Sequence, residues 1–313
     1  MREHCGGCGR AVRAACHGSL LRLGARKAHW ESWAACNLDC QFCYRTLDPP
    51  LATPEAELLL AALATAGIET VVFAGGDPSL RRDIGHLLAV ARELGLRTEV
   101  HTNAQHAPAS FREALAGVGC VGLSLDGPTP EVHDGFRDKP GNFRRVLDLL
   151  AALDEAGVPV IVRTVVARPN HHRVAEIADL LARFGNVAFW YLLEFAAVGT
   201  GFQNRQRYQL DRVEFDKVAV RATARTGGSL TVHPRRLEDK ERAYVMLTPG
   251  GRVYGTASLE DDGLYPSVGS ILHDHLSDLA VRVRFERHPH EDRYQLIDKA
   301  LRRKRAELAN GSG

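Results

Sequence analysis

Between residues 29 and 195, short apolar runs alternate with longer amphipathic stretches rich in Ala and Leu, and this rhythm narrows the fold before any single side chain is considered. The runs read as strands over His29–Ala35, Thr70–Ala74, Arg97–Thr102, Gly119–Leu125, Val158–Val166 and Val187–Glu194. Helical stretches lie between them near 54–66, 80–94, 108–117, 142–156 and 171–184. Their apolar residues fall three and four apart, as in Leu147, Leu150, Ala151 and Leu153. Gly67, Gly95 and Gly157 follow helical stretches, where a left-handed C-cap is wanted. Thr53-Pro54-Glu55 supplies an N-cap, a first-turn proline and an early acid. Repeated strand–helix units bring parallel strands joined by right-handed crossovers. Six such strands make either a partial barrel or an open doubly wound sheet, and pattern alone does not choose.

After Glu194 the rhythm changes. Ala196–Tyr208 reads as a polar loop and Asp211–Thr226 as a helix. Ser229–Val232, Ala243–Thr248 and Arg252–Thr256, around Pro249-Gly250-Gly251, read as short antiparallel strands with a hairpin turn. A charged helix from about Arg293 ends in a Gly-Ser-Gly tail. The expected organisation is a Cys-rich N-terminal extension (1–28), a core (29–195), and a small α+β cap with helix, hairpin and terminal helix (196–313).

The 40 basic and 38 acidic side chains give a net charge of +2, which builds no field to attract nucleic acid or a membrane. No run of about 18 apolar residues is present for a membrane span. The opening residues Arg2, Glu3, His4 and Cys5 do not form a secretory signal. The cytoplasm is therefore the expected compartment, where thiols stay reduced. Six of the seven cysteines (Cys5, Cys8, Cys16, Cys36, Cys40 and Cys43) crowd into the first 43 residues, which favours metal or cluster ligation over disulfides. Cys120 lies in an apolar strand and is expected to be a core residue.

Cys36, Cys40 and Cys43 are spaced C-x3-C-x2-C in a loop after the first expected strand. Three thiolates on a four-iron cluster leave one iron open, the condition for a reactive centre. A zinc site is the alternative for this spacing, and zinc wants a fourth ligand close by. Three further segments end successive strands: Gly75-Gly76-Asp77-Pro78, Thr102-Asn103, and Ser124-Leu125-Asp126-Gly127 continuing through His133-Asp134-Gly135-Phe136-Arg137. The C-terminal edge of such strands is where barrel enzymes place their sites.

In this order, about residues 29–195 resemble the radical S-adenosylmethionine (SAM) superfamily, in the branch related to anaerobic sulfatase-maturing enzymes. The resemblance chooses a partial six-stranded (β/α)6 TIM-like barrel. It implies a 4Fe–4S cluster on Cys36, Cys40 and Cys43 and reductive cleavage of SAM to a 5′-deoxyadenosyl radical, with an electron donor such as flavodoxin or ferredoxin. By the same resemblance Gly75, Gly76 and Asp77 hold the SAM amino group, the Asp standing where Glu is commoner, and Asn103 closes the family's Thr-Asn turn. Ser124 and Arg137 are candidates for the SAM carboxylate, or Ser124 and Asp126 for its ribose, while Phe42 and Tyr44 lie beside the adenine. Arg163, a charge inside an apolar run, is either salt-bridged within the barrel or reaches an anionic ligand such as SAM or substrate. His101 and Glu194 are weaker candidates for substrate contacts.

Cys5-Gly6-Gly7-Cys8 resembles a zinc knuckle that Cys16 with His17 or His4 would complete; a second iron–sulfur cluster and an unliganded leader are the alternatives. Many members of the matching branch carry a Cys-rich C-terminal SPASM or twitch domain. No cysteine follows Cys120, so the ligands for those auxiliary clusters are absent and the hairpin Tyr244–Thr256 looks like the skeleton of such a domain. This layout, similar to viperin-like enzymes, makes a small molecule or nucleotide the first expected substrate and a ribosomally made peptide the second. A non-catalytic zinc or iron–sulfur protein is the reading from another class.

Overall fold

The computed structural model describes residues 26–237, 245–255, 263–274, 278–279, 282 and 293–310. The expected N-terminal metal site at Cys5, Cys8 and Cys16 lies outside these residues. Strands β1 (Lys27–Trp33), β2 (Thr70–Gly75), β3 (Arg97–Thr102), β4 (Cys120–Ser124), β5 (Val160–Val166) and β6 (Val187–Glu194) are consecutive and parallel. Between them run α1 (Thr53–Thr65), α2 (Ile84–Glu93), α3 (Ala109–Leu115), α4 (Pro130–Arg137), α5 (Asn142–Glu155) and α6 (Ile177–Leu181). The sheet and its helices form the partial barrel that the resemblance implies.

Beyond β6 the chain departs from expectation. The polar segment 196–208 forms two single-turn helices, α7 (Thr200–Gln203) and α8 (Arg205–Tyr208), before α9 (Arg212–Arg225). The strand that follows, β7 (Thr231–Arg235), pairs parallel to β6, because α9 supplies another strand–helix–strand crossover. β8 (Val245–Leu247) pairs parallel to β1 on the opposite edge. Antiparallel pairing, expected for β7, β8 and β9 (Arg252–Tyr254), is found among the described residues in β8 with β9 and in β9 with β10 (Ser267–Ser270), a strand the sequence did not suggest. The result is one ten-stranded sheet in the order β10-β9-β8-β1-β2-β3-β4-β5-β6-β7.

Strand alternation sorts the side chains into separate apolar layers. Trp30, Phe73, Val100, Leu123, Val162 and Trp190 point outward and pack under helical residues such as Leu59, Leu63, Leu87 and Leu150. The opposite face lines the lumen. At the N-terminal ends of the strands this lumen is stoppered by α10 (Arg293–Asn310), whose Ile297 and Leu301 pack on Cys120, Ile161, Phe189 and Tyr191. Cys120 is the core residue its context suggests. Burying Ile297 and Leu301 contributes about 1.5–3 kcal/mol each. A third cluster, with Leu38, Phe42, Phe136, Phe195 and Tyr208, sits at the C-terminal ends of the strands, around the cysteine loop.

Candidate active site

The cysteine loop begins where β1 leaves the sheet, and a glycine pair fixes that point. Gly75 has φ +120°, and a Cβ there would stand 2.3 Å from the Trp33 carbonyl oxygen. A Cβ on Gly76 would stand 2.1 Å from the Ala35 carbonyl oxygen. The Gly76 and Asp77 amides donate to Trp33 O and Ala35 O at 2.6 and 2.9 Å. Only glycine lets two backbones meet so closely.

Leu38 and Phe42 anchor the loop by burial. Phe42, expected beside an adenine, stacks on Phe136 with centroids 4.3 Å apart and packs on Tyr208. Tyr44 is exposed. At the loop's exit, Thr46 donates its amide and hydroxyl to Glu31 Oε2 at 2.8 and 2.9 Å. Tyr254 from β9 donates its hydroxyl to Glu31 Oε1 at 2.5 Å. Both ends of the loop are thus fixed to β1 or its neighbours.

Burial raises the pKa of all three thiols, that of Cys40 to about 12. The sulfurs are near enough to raise one another further. Yet among the described residues no three His, Cys, Asp or Glu side chains converge as one metal ion requires. Three thiols in one short loop are the donor set of a 4Fe–4S cluster. Donors already address Cys36 Sγ, from Leu38 N at 3.5 Å and Asn103 Nδ2 at 3.4 Å. Cationic metal is what turns such buried thiols into thiolates, so the residues present fit a 4Fe–4S group.

Arg137 is buried beside Cys40 and Cys43; burial works to lower its pKa, and the neighbouring acids, Asp126 foremost, outweigh it and raise it. Its Nε donates to Asp126 Oδ2 at 2.6 Å. The other carboxylate oxygen, Oδ1, accepts from Val165 N at 2.7 Å. Asp126 is completely buried, so its carboxylate holds Arg137 and β5 together and presents no free face to a ribose. Asp77 is equally enclosed, accepting from Ser79 N, Thr102 Oγ1 and Asn103 N at 2.9, 2.9 and 2.7 Å. It stitches the end of β2 to the end of β3.

His133 lies in the block that ends at Arg137 without a role of its own, and Asn142 and Asn170 gave no sequence signal. His133 Nδ1 accepts from Asp126 N at 3.0 Å, which leaves the proton on Nε2 to donate to Asn142 Oδ1 at 2.8 Å. Asn142 Nδ2 donates to Asn103 O at 3.0 Å, and Asn103 Nδ2 reaches Asn37 Oδ1 at 2.9 Å besides Cys36. Asn170 Nδ2 bridges Asp126 O and Val165 O at 2.9 and 2.8 Å. These side chains join the ends of β3, β4 and β5 behind the cysteine loop. Isolated asparagines carry no motif; only the fold shows their partners.

Ser124 is half-buried at the end of β4, in register with Arg163 on β5. Arg163 Nη1 lies 3.4 Å from His101 Nε2 inside the lumen. Burial first, and Arg163 second, bring the His101 pKa down to about 3. Glu194 accepts from Leu237 N at 2.9 Å.

Residues 30–181 match the model of the radical SAM superfamily. Over 182 residues the chain is 34% identical to an AdoMet-dependent heme synthase of Nitratidesulfovibrio vulgaris, covering 55% of this chain and 48% of that protein. It is 26% identical over 264 residues to the sporulation killing factor maturation protein SkfB of Bacillus subtilis, covering 80% of this chain and 63% of SkfB. The fold superimposes on Streptococcus suis SuiB bound to S-adenosylmethionine with a TM-score of 0.67 at 16% identity, covering 88% of this chain and 69% of SuiB. The chain spans about half the length of the heme synthases it matches.

Proposed function

This chain belongs to the radical SAM superfamily, and from that premise we propose that it is an enzyme whose Cys36, Cys40 and Cys43 hold a 4Fe–4S cluster for hydrogen abstraction from a small-molecule substrate. The observation that carries this reading is the meeting of the buried Cys40 and half-buried Cys36 and Cys43 thiols, Asn103 and the Arg137–Asp126 pair at one edge of the sheet. When bound, cluster and SAM together supply a 5′-deoxyadenosyl radical, with an electron from a donor such as flavodoxin or ferredoxin.

The chain's own residues then position and shield. The glycine pair holds the loop against β2, and Gly75, Gly76 and Asp77 would hold the methionine amino group of SAM. Ser124 and Arg137 would take its carboxylate. Arg137 brings positive charge beside the sulfurs, offsetting the negative charge that they carry as thiolates. Leu38, Phe42, Phe136 and Phe195 exclude water from the mouth, which protects a reactive radical from quenching.

A lumen stoppered by α10 is a cup suited to a small molecule. A peptide substrate is the second reading, favoured because SkfB, a maturation protein, aligns with 80% of this chain. The test is anaerobic reconstitution with iron and sulfide, then SAM and dithionite. Formation of 5′-deoxyadenosine with about four irons per chain is the expected result. About eight irons would assign a second cluster to the leader cysteines; bound zinc would assign a knuckle. Metal bound without any 5′-deoxyadenosine would overturn the catalytic reading in favour of a metal-binding protein. Cys40→Ala should lose both iron and product.

A further inference from the structure

Resting on the radical SAM reading, we propose that the lumen beneath the cysteine loop binds an oxyanion group of the substrate, a carboxylate or a phosphate, between Arg163 and Arg235. Arg163 is half-buried midway along β5, level with Ser124 on β4 and Tyr191 on β6. Its recorded polar neighbour is His101, and no carboxylate among the described residues pairs with it. The two side chains meet across β4 at Gly122, where a Cβ would stand 2.3 Å from His101 Cδ2. Glycine there clears the lumen.

Arg235 lies on the same face of β7, one layer nearer the mouth, and opposite Leu193. Its guanidinium carbon sits 4.9 Å from the centroid of the Tyr191 ring, and again no carboxylate among the described residues pairs with it. Among the described acids nearby, Glu99 is bonded to Lys27 Nζ at 2.8 Å and stands 3.8 Å from His101 Nε2, while Glu31 accepts from Thr46 and Tyr254 and Glu194 from Leu237 N. Burial lowers the pKa of His29 and His101, so they add no positive charge of their own.

Two arginines that no carboxylate among the described residues pairs with, on one face of the sheet, are complementary to an anion. Their planar forks match carboxylate and phosphate oxygens, and the Tyr191 ring holds one fork flat. The anion belongs to the molecule below the cofactor. Asn103, which touches Cys36, is two residues beyond His101 along β3, and Val165, which holds Asp126, is two beyond Arg163 along β5. Arg163 therefore stands one layer deeper than the residues around the sulfurs. Since α10 stoppers the far end, the ligand arrives from the mouth.

Calorimetric titration of the anaerobic holoenzyme with inorganic phosphate and with succinate, each with and without saturating SAM, tests this. The wild type should bind at least one anion, with SAM present, and the preference between them identifies the oxyanion. Arg163→Gln and Arg235→Gln should each weaken that binding about tenfold or more, and Arg163→Lys, which keeps charge but loses the fork, should fall between. Circular dichroism of each variant checks the fold, and the Arg235→Gln protein carries the test if Arg163→Gln does not fold. The proposal is overturned if the wild type binds neither anion, if the variants bind as the wild type does, or if SAM displaces the anion. Anion binding that persists in a protein unable to form 5′-deoxyadenosine would remove the radical chemistry and leave this site standing.

Discussion

Asp126 and Arg137 bring opposite charges into a place where neither meets water, and the sequence shows only half of why. Their position in the Ser-Leu-Asp-Gly…Arg block marks both as site residues. The amide of Val165, 39 residues beyond Asp126, decides what the carboxylate does. Such partners are invisible along the chain because they are brought together by β5 pairing with β4. Removing the negative partner leaves Arg137 buried without compensation, which costs about 3–5 kcal/mol. Asp126→Asn should therefore lower the urea midpoint sharply, and a shift equivalent to under about 1 kcal/mol would refute the pairing's importance. The glycine pair, by contrast, is legible in the sequence, since Gly-Gly after a strand asks for a close backbone approach. Gly76→Ala should displace the Ala35 carbonyl that its Cβ would strike. We expect iron retention per chain to fall while far-UV circular dichroism stays near that of the parent; unchanged iron retention would contradict this.

Among the elements, two strands are readable to the residue: Arg97–Thr102, where Thr98, Val100 and Thr102 alternate with polar side chains, and Val187–Glu194, a continuous apolar and aromatic run. The helix Pro130–Arg137 was not, because its buried positions are His133, Phe136 and Arg137, an unconventional apolar stripe. The stretch 171–184 shortens to a 3-10 turn and the five-residue α6. Asn170 holds the preceding backbone, accepting from Ala167 N at 2.9 Å, so the helix starts late. Strand direction was lost for β7 and β8, since segments of five and three residues carry no sign of parallel or antiparallel pairing. The terminal helix reads in the sequence only as charged, yet it seals the lumen through Ile297, which is 1% exposed. Ile297→Ala should cost about 2–5 kcal/mol in equilibrium unfolding. A loss under about 1 kcal/mol would mean that α10 is not a stopper but a surface attachment.

At the scale of the molecule, the order of six parallel strands followed from sequence rhythm, whereas their extension to ten depended on tertiary pairing at both edges. The barrel also encloses the buried His29 and His133 and the mostly enclosed His101, whose pKa values are lowered chiefly by desolvation. A depressed folded-state pKa gives stability that is complete above about pH 6.5, the unfolded value, and lost as the pH falls toward the folded value. With a folded value of about 3 for His101, its share of the loss between pH 7 and pH 5 is on the order of 2 kcal/mol. Buried Glu31 and Asp77 are shifted upward and work in the opposite sense, so the comparison with a variant isolates the histidine. His101→Asn should flatten the decline in unfolding free energy over that interval; an equally steep decline would show that His101 titrates normally.

The described sheet runs from β10 to β7 without a ladder joining those two strands. A fully closed barrel has a fixed girth, because widening it breaks a row of backbone hydrogen bonds. A sheet with free edges behaves as a split ring: it can flex by small changes of twist between neighbouring strands, each bond strained a little and none lost. To admit a larger guest, such a sheet need not re-register a single strand; it need only open the gap.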